Sequence, residues 1–478
     1  MKKYLLFVAG IMLASACTHQ GKQPTQSQPQ SMNENTSPEA ARSVAQAGSV
    51  RLSDYSPYRY ELLFTDPECG PYRYKEPQRT FNNKLVTQKP RNVYCISRND
   101  KKKSGDRPQS PQYRLIEWIN DQNTREIFFT YLSFSNKPVK DALCAAGKRG
   151  VKIRFVMSST EDTGLAEELE SCSSNIQMRQ RGSEGDLGYA HNKIFMVNPA
   201  SQSETRIAFS SGNMSSGPVT HHENWHFITT SPRSHFAQIH RCALEAEWDE
   251  VKGRTRQAYI AEIRRCRSSI AAPEESDIKA FFVPAEGERA DAAPRRSASE
   301  YLVSGSPDGR FPGIRQASKI WIGCHRFMYY TMRTELSRRM NSNNRPDMRI
   351  VADDDTFYKA NDPDFGLGDT MPEEWTNMQN LMNQGAQVKL METNSEEHQL
   401  HHSKFLLFAN QQGVFTSLFT GAANLTQAGF NKNWENSYYI MIPEVVQQFA
   451  DHYQLTWNQM ATSPGDLPRA SKVSGLLE

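Results

Sequence analysis

"AHNKIFMVN", residues 190–198, and "HHSKFLLFA", residues 401–409, share one shape: His-x-Lys followed by four apolar residues. In a strand, residues i and i+2 face the same way, so His191 and Lys193 are expected to project together, as are His402 and Lys404. The runs "IFMV" and "FLLF" then read as strands that lock those pairs into a core. One His-x-Lys alone means little, because chance supplies about one in a chain of this length and a lone histidine is more often structural.

The sequence downstream changes that. Asn213 of "SSGN" lies 22 residues after His191, and Asn424 of "GAAN" lies 22 residues after His402. A Glu-Asn pair follows in each case, with Glu223 32 residues after His191 and Glu435 33 residues after His402. The surrounding segments match too. "REIFFTYLSF", "NKPVKDALCAAGKRG" and "VKIRFVM" read as strand, helix and strand, as do "KIWIGCHRFMYY", the segment through "RTELSRRMN" and "DMRIVADDD". Short strands, "IQMRQR" and "QVKLMET", precede the two His-x-Lys stretches. The chain therefore holds an internal repeat, and alternating strands and helices predict an α/β sheet in each half.

His, Lys, Asn and Glu in this order, twice, resemble the phospholipase D superfamily, whose signature is HxKxxxxD, then GSxN and a downstream acid. The resemblance spans roughly residues 110–465. It departs from the signature at the Asp position, which holds Asn198 in one half and Ala409 in the other, and at GSxN, which has become "SSGN" and "GAAN". The related tyrosyl-DNA phosphodiesterases also lack that Asp. The resemblance implies two tandem phospholipase D-like repeats, each a mixed β-sheet flanked by helices, with a pseudo-twofold active site between them. It also implies His191 as nucleophile and His402 as general acid, an assignment that the residues alone leave open.

The residue types suit that chemistry. A phosphodiester is an anion that repels nucleophiles, and its alkoxide leaving group must be protonated. One neutral imidazole can attack phosphorus to form a phosphohistidine, while an imidazolium protonates the departing oxygen and later activates water. Lys193, Lys404, Asn213 and Asn424 would hold the non-bridging oxygens, work that metal ions do in other enzymes. Glu223 and Glu435 would each fix a histidine tautomer. No metal or other cofactor is expected. His221, His222, His398 and His401 lack a matching carboxylate or cysteine set and read as structural or site-rim residues.

The 478 residues allow two or three domains, and the net charge of +3 falls to about +1 without Lys2 and Lys3, so no basic field points to nucleic acid. Residues 1–16 read as a signal peptide whose small residues before Cys17 resemble a lipobox, making Cys17 the expected lipidation site and the bacterial envelope, with the outer membrane favoured, the expected location. The remaining divisions are a flexible tether at 17–55, an N-terminal extension at 56–107, the repeats at 108–270 and 301–465, a linker at 271–300 and a tail at 466–478. No later apolar run is long enough to span a bilayer. Export makes Cys69 with Cys95, Cys144 with Cys172 and Cys242 with Cys266 plausible disulfides, leaving Cys324 as a buried thiol. Basic clusters at 101–103 and 263–267 read as solvated faces.

An anchored phosphodiesterase meets phospholipid at high local concentration, so phospholipid hydrolysis, with possible transfer to an alcohol, is the expected reaction. Two alternatives stand beside it: a periplasmic nuclease, and an envelope protein that binds phosphoesters without turnover. No obligate protein partner is evident.

Overall fold

The computed structural model describes residues 45–50, 58–66, 80–81, 84–85 and 110–467, except 160, 162, 182–187, 202, 216, 251–254, 271–276, 290–295, 361–370 and 394–399. The leader, Cys17, Cys69, Cys95, residues 101–103, His398 and most of the tether and tail lie outside that set.

The first repeat runs β1 (Ala45–Val50), β2 (Tyr58–Thr65), the hairpin β3 (Thr80–Phe81) and β4 (Lys84–Leu85), α1 (Pro111–Asn120), β5 (Glu126–Tyr131), α2 (Lys137–Lys148), β6 (Lys152–Ser158), α3 (Gly164–Ser171), β7 (Ile176–Arg181), β8 (Ile194–Val197), β9 (Thr205–Ser210), α4 (Gly217–Thr220), β10 (Glu223–Thr230), α5 (His235–Glu250) and α6 (Arg256–Ser269). The second runs β11 (Ile278–Val283), α7 (Ala298–Ser304), β12 (Lys319–Cys324), α8 (Tyr330–Met340), β13 (Asp347–Asp353), α9 (Asp355–Ala360), α10 (Met371–Asn383), β14 (Gln387–Met391), β15 (Lys404–Ala409), β16 (Phe415–Gly421), α11 (Gln427–Asn431), β17 (Glu435–Ile440), α12 (Pro443–Leu455) and β18 (Ala461–Thr462).

The two eight-stranded sheets have orders β1-β2-β10-β9-β8-β5-β6-β7 and β11-β17-β16-β15-β12-β13-β14-β18, so seven strands correspond one to one. β5, β6 and β7 are parallel, as are β12, β13 and β14, and the remaining pairs are antiparallel. Each sheet is therefore mixed, as expected. The first helix of the βαβ crossover in the first repeat starts where the sequence signals it: Asn136 caps α2 by accepting from Val139 N, with Pro138 in the first turn.

Apolar side chains on the two faces of one strand serve different cores. Ile194 and Met196 of β8 face a central core that also holds Phe405 and Leu407 of β15, together with α5, α6 and α12. Phe195 and Val197 face an outer core under α1, α2 and α3, while Leu406 and Phe408 face the matching core under α8 and α10. A strand buried on both faces reads as a continuous apolar run, which explains "IFMV" and "FLLF". Disulfides join Cys144 to Cys172 and Cys242 to Cys266, and Cys324 is a buried free thiol.

Three boundaries differ from the sequence reading. β2 lies in the stretch read as an extension and β11 in the stretch read as a linker, yet each pairs with β10 or β17 as a strand of its sheet. β1, inside the stretch read as a tether, pairs with β2. The His-x-Lys stretches also begin ahead of their strands, since β8 starts at Ile194 and β15 at Lys404. The preceding residues pair across the repeats instead: His191 N donates to Trp434 O and Trp434 N to Tyr189 O, both at 2.9 Å. His402 N and His222 N make the same 2.9 Å bonds to His222 O and Leu400 O. Two matching bridges, Ala190 with Trp434 and His222 with His401, thus hold the sheets together at the site.

Candidate active site

Those bridges decide which side chains meet. Glu435 opens β17 and Glu223 opens β10, each one residue past a bridge strand position of its own repeat and facing a histidine of the other. His191 Nδ1 lies 2.6 Å from Glu435 Oε2, and His402 Nδ1 lies 3.1 Å from Glu223 Oε1. The braces are crossed: each histidine leans on the other repeat's glutamate. With Nδ1–H donating to a carboxylate, Nε2 carries the lone pair, which fixes the tautomer.

The lysines complete the pattern. Lys193 Nζ donates to His191 O at 2.9 Å and lies 3.2 and 3.3 Å from the His191 ring nitrogens. Lys404 Nζ donates to His402 O at 2.7 Å and to Ser211 O at 3.2 Å. The structure thus brings His191, Lys193, Glu223, His402, Lys404 and Glu435 together in buried positions. Asn213 and Asn424 sit half-buried, each with a side-chain oxygen that is buried and has no hydrogen-bond partner. Such an atom is costly unless something meets it.

Burial pushes His191 below its ordinary value, opposed by the Glu435 charge and reinforced by Lys193. His402 is pushed well below, by burial first and then by Lys404, His325 and His221. Burial lowers Lys193 to about 8 against the pull of Glu435 and Glu223, and drives Lys404 well below its ordinary value with Lys193 adding to the effect. Two lysines and two glutamates thus surround the two imidazoles, and an anion entering beside the rings would favour the charged form of the lysines.

Several contributing residues stand outside the eight that the repeat picks out in the sequence. His221 Nδ1 shares Glu223 Oε1 with His402, at 2.9 Å, and Asn433 Nδ2 donates to Glu435 Oε1 at 3.1 Å. Both stand two residues before their glutamate, so His221, read as structural or rim, does have a carboxylate partner and belongs to the site. Trp225 Nε1 donates to Glu223 Oε2 at 3.0 Å, and Thr65 of β2 accepts from Glu223 N at 2.9 Å. Asn436 Oδ1 takes Lys193 N at 2.7 Å, a role that the repeated Glu-Asn pair could have flagged. His325, at a position matched by Leu132 in the first repeat, sets its ring edge-on to His402 at 4.9 Å. His222 and His452 both reach Asp66, at 3.2 and 2.9 Å.

Asn198 explains the missing Asp. It lies at the far end of β8 with φ 56°, a left-handed conformation that Asn tolerates, and its Oδ1 accepts Arg125 N and Glu126 N at 2.8 and 3.2 Å. The position tethers β5 and does not reach the histidines.

Among the described residues, two groups bring three metal-ligating atoms within 4.8 Å: His221, Glu223 and His402, and Asp353, Asp354 and Asp355. Both Glu223 oxygens already accept hydrogen bonds. Asp353 Oδ2 accepts His401 N at 2.7 Å, which ties the loop ahead of His402 to the end of β13. The constellation is two imidazoles, each held at Nδ1 by a glutamate and each with a buried lysine beside it, the residue types of acid–base and nucleophilic chemistry on an anion.

The model of the family described as "Cardiolipin synthase, PLD-like domain" matches residues 115–248 and 314–457, more than half of the chain. No curated protein sequence matches. Among solved structures, the chain is similar to polyphosphate kinase from Porphyromonas gingivalis, with 13% identity over 76% of this chain and 52% of that one and a TM-score of 0.43. The chain thus spans about half the length of that enzyme. Similarity extends to phosphatidylserine synthase from Haemophilus influenzae, with 12% identity over 73% and 84% of the two chains and a TM-score of 0.48. It also extends to Nuc, a phospholipase D family member from Salmonella typhimurium, with 19% identity over 39% and 96% and a TM-score of 0.27.

Proposed function

This chain belongs to the cardiolipin synthase, PLD-like domain family, and from that membership we propose that it cleaves phosphodiesters through a covalent phosphohistidine, with phospholipid as substrate. The observation that carries the reading is the crossed bracing of two complete His-Lys-Asn-Glu sets.

His191 Nε2 attacks phosphorus, and the bond from phosphorus to the leaving oxygen breaks. Its nucleophilicity is raised by the 2.6 Å bond from Nδ1 to Glu435. His402 gives a proton to the departing head-group alkoxide, then takes one from water, whose oxygen attacks phosphorus and frees His191. An alcohol in place of water would yield a new diester. Burial and the lysines hold both imidazoles toward the neutral form, and the charge of a bound diester acts in the opposite direction, favouring one protonated partner. Lys193, Lys404, Asn213 and Asn424 hold the non-bridging oxygens.

Phospholipid is favoured by the lipobox-like leader at residues 1–16, after which a lipid on Cys17 would tether the body to an envelope membrane, and by the family's own description. Among the described residues, no helix is long and apolar enough to cross a membrane. The test gives residues 18–478 phosphatidylcholine vesicles and plasmid DNA in parallel, in EDTA, with His191→Ala and His402→Ala beside the native protein. Head-group release that both substitutions abolish, with a trapped phosphohistidine, is expected. DNA nicking with intact lipid would make the protein a nuclease, and neither activity would leave a binding role.

A further inference from the structure

A cavity of about 610 Å³ opens between α6 and the loop that follows β11, lined by Arg256, Arg264, Arg289 and Glu288 with Ile260 and Pro284 as apolar wall. Among the described residues its lining carboxylate is Glu288, which faces Tyr329 Oη, Thr331 Oγ1 and Gln427 Nε2 at 3.4, 3.2 and 3.2 Å, so its charge is drawn toward donors of the second repeat. Arg256 and Arg289 stand in this lining beside one engaged carboxylate, and arginine forks suit phosphate oxygens.

The walls are fixed. Arg256 Nε donates to Asn431 O at 3.2 Å, and Glu288 N donates to Phe430 O at 2.8 Å, so helix and loop are pinned to adjacent carbonyls. A Cβ on Gly287 would meet Phe430 O at 1.9 Å, which shows how closely the loop is drawn in.

The cavity also neighbours the catalytic centre. Val283 is the strand partner of Glu435, which places Pro284 within about 10 Å of Glu435 by strand spacing. Asn431, on the cavity wall, is two residues from Asn433, which donates to Glu435. On α6, Tyr259 stacks on Trp434 at 5.0 Å, and Trp434 O receives His191 N.

We propose that this cavity is a subsite for a second phosphate, a phosphomonoester carried on the head group of the phospholipid whose diester sits between His191 and His402. The inference deepens the phospholipid reading and rests on it for the identity of the substrate. A monoester dianion beside the diester would meet the arginines while the diester meets the lysines, so the protein would prefer head groups bearing an extra phosphate.

Phosphatidylcholine vesicles doped with phosphatidylinositol 4-phosphate or with phosphatidylinositol isolate that phosphate. The native protein should favour the phosphorylated lipid. Arg256→Gln and Arg289→Gln should each lower the ratio of kcat/KM for the two lipids about tenfold, the loss of one charge-assisted hydrogen bond. Arg265→Gln serves as a control: it removes an exposed α6 arginine paired with Glu262 and should leave the ratio alone. An equal fall with Arg265→Gln would mean general attraction to a charged surface, and an unchanged ratio in the pocket variants would mean no subsite; either overturns the proposal. Changed DNA cleavage with no change in lipid preference would overturn it in favour of nucleic acid. Calorimetry with inorganic phosphate separates this inference from the reaction: two phosphates per native chain are expected and one per Arg256→Gln/Arg289→Gln chain. That stoichiometry without turnover of any lipid would refute the phospholipid reading and keep the phosphate subsite, whereas one phosphate in both proteins would overturn the subsite.

Discussion

Replacing Glu435 by Gln keeps the shape of the side chain and removes the charge that braces His191 from the opposite repeat. The bond lost is buried and 2.6 Å long. A hydrogen bond to a charged group contributes about 1.5–3 kcal/mol, and expressed in the transition state that is about a 10- to 150-fold fall in kcat/KM. The sign of the pH effect also follows. Glu435 raises His191 against burial and Lys193, so removing it lowers the His191 pKa further, and the acidic limb of kcat/KM should move to lower pH. The assay is a pH series on a soluble chromogenic phosphodiester, with double-mutant cycles read in the urea midpoint, since the histidine variants do not turn over, pairing Glu435→Gln with His191→Ala and with His402→Ala. Coupling should appear with His191, 244 residues away, and be weak with His402. Coupling to His402 in place of His191, an acidic limb that moves upward, or a loss below about threefold would refute crossed bracing.

Two further outcomes follow from burial. A Cβ on Gly212 would lie 1.7 Å from Glu223 Oε2, so Gly212→Ala should displace the carboxylate from His402 and cut turnover by about 100-fold or more, while Ala423→Gly at the matching position should cost far less; comparable losses would contradict this. Burial lowers His226 and His240 to about 3 each, so the unfolded chain binds their protons below about pH 6.5 while the folded one does not, and stability must fall with falling pH. Between pH 7 and 5 the pair should cost about 4 kcal/mol, read as a lower urea midpoint, and a flat midpoint would contradict the assignment.

What could be read in advance depended on the range of the interaction that encodes it. The strands around "IFMV" and "FLLF" were legible because burial on both faces writes an unbroken apolar run into the local sequence, and α2 because Asn136 and Pro138 mark its start. The eight polar residues proposed for the site stood out because duplication repeats them in register, and six of them meet in the structure. The crossing of the glutamates was not, since it depends on Ala190 meeting Trp434 and His222 meeting His401, pairings that no local period records. The same holds for β2 and β11, which join their sheets at long sequence separation and were assigned to an extension and a linker. His221 was undervalued because its carboxylate, Glu223, was already assigned to another histidine.

The lysines show why such a site persists at a cost to the fold. Lys193 is fully buried, and burial lowers it from 10.5 to about 8. Below pH 8 the ammonium is charged in both folded and unfolded chains, and the folded state carries the penalty, about 3 kcal/mol for a shift of this size. As pH rises from 8 toward 10.5 the folded chain releases its proton first, so the penalty fades and stability should rise. Lys193→Met removes the charge and fills similar volume with an apolar group, losing the bond to His191 O in exchange. Near pH 7 it should therefore raise the urea midpoint while abolishing turnover, and the difference from native protein should shrink toward pH 10. A variant less stable than native at pH 7 would mean that Glu435 and Glu223 repay the ammonium in full, and that the lysine is part of the core and not a charge held there for a phosphate.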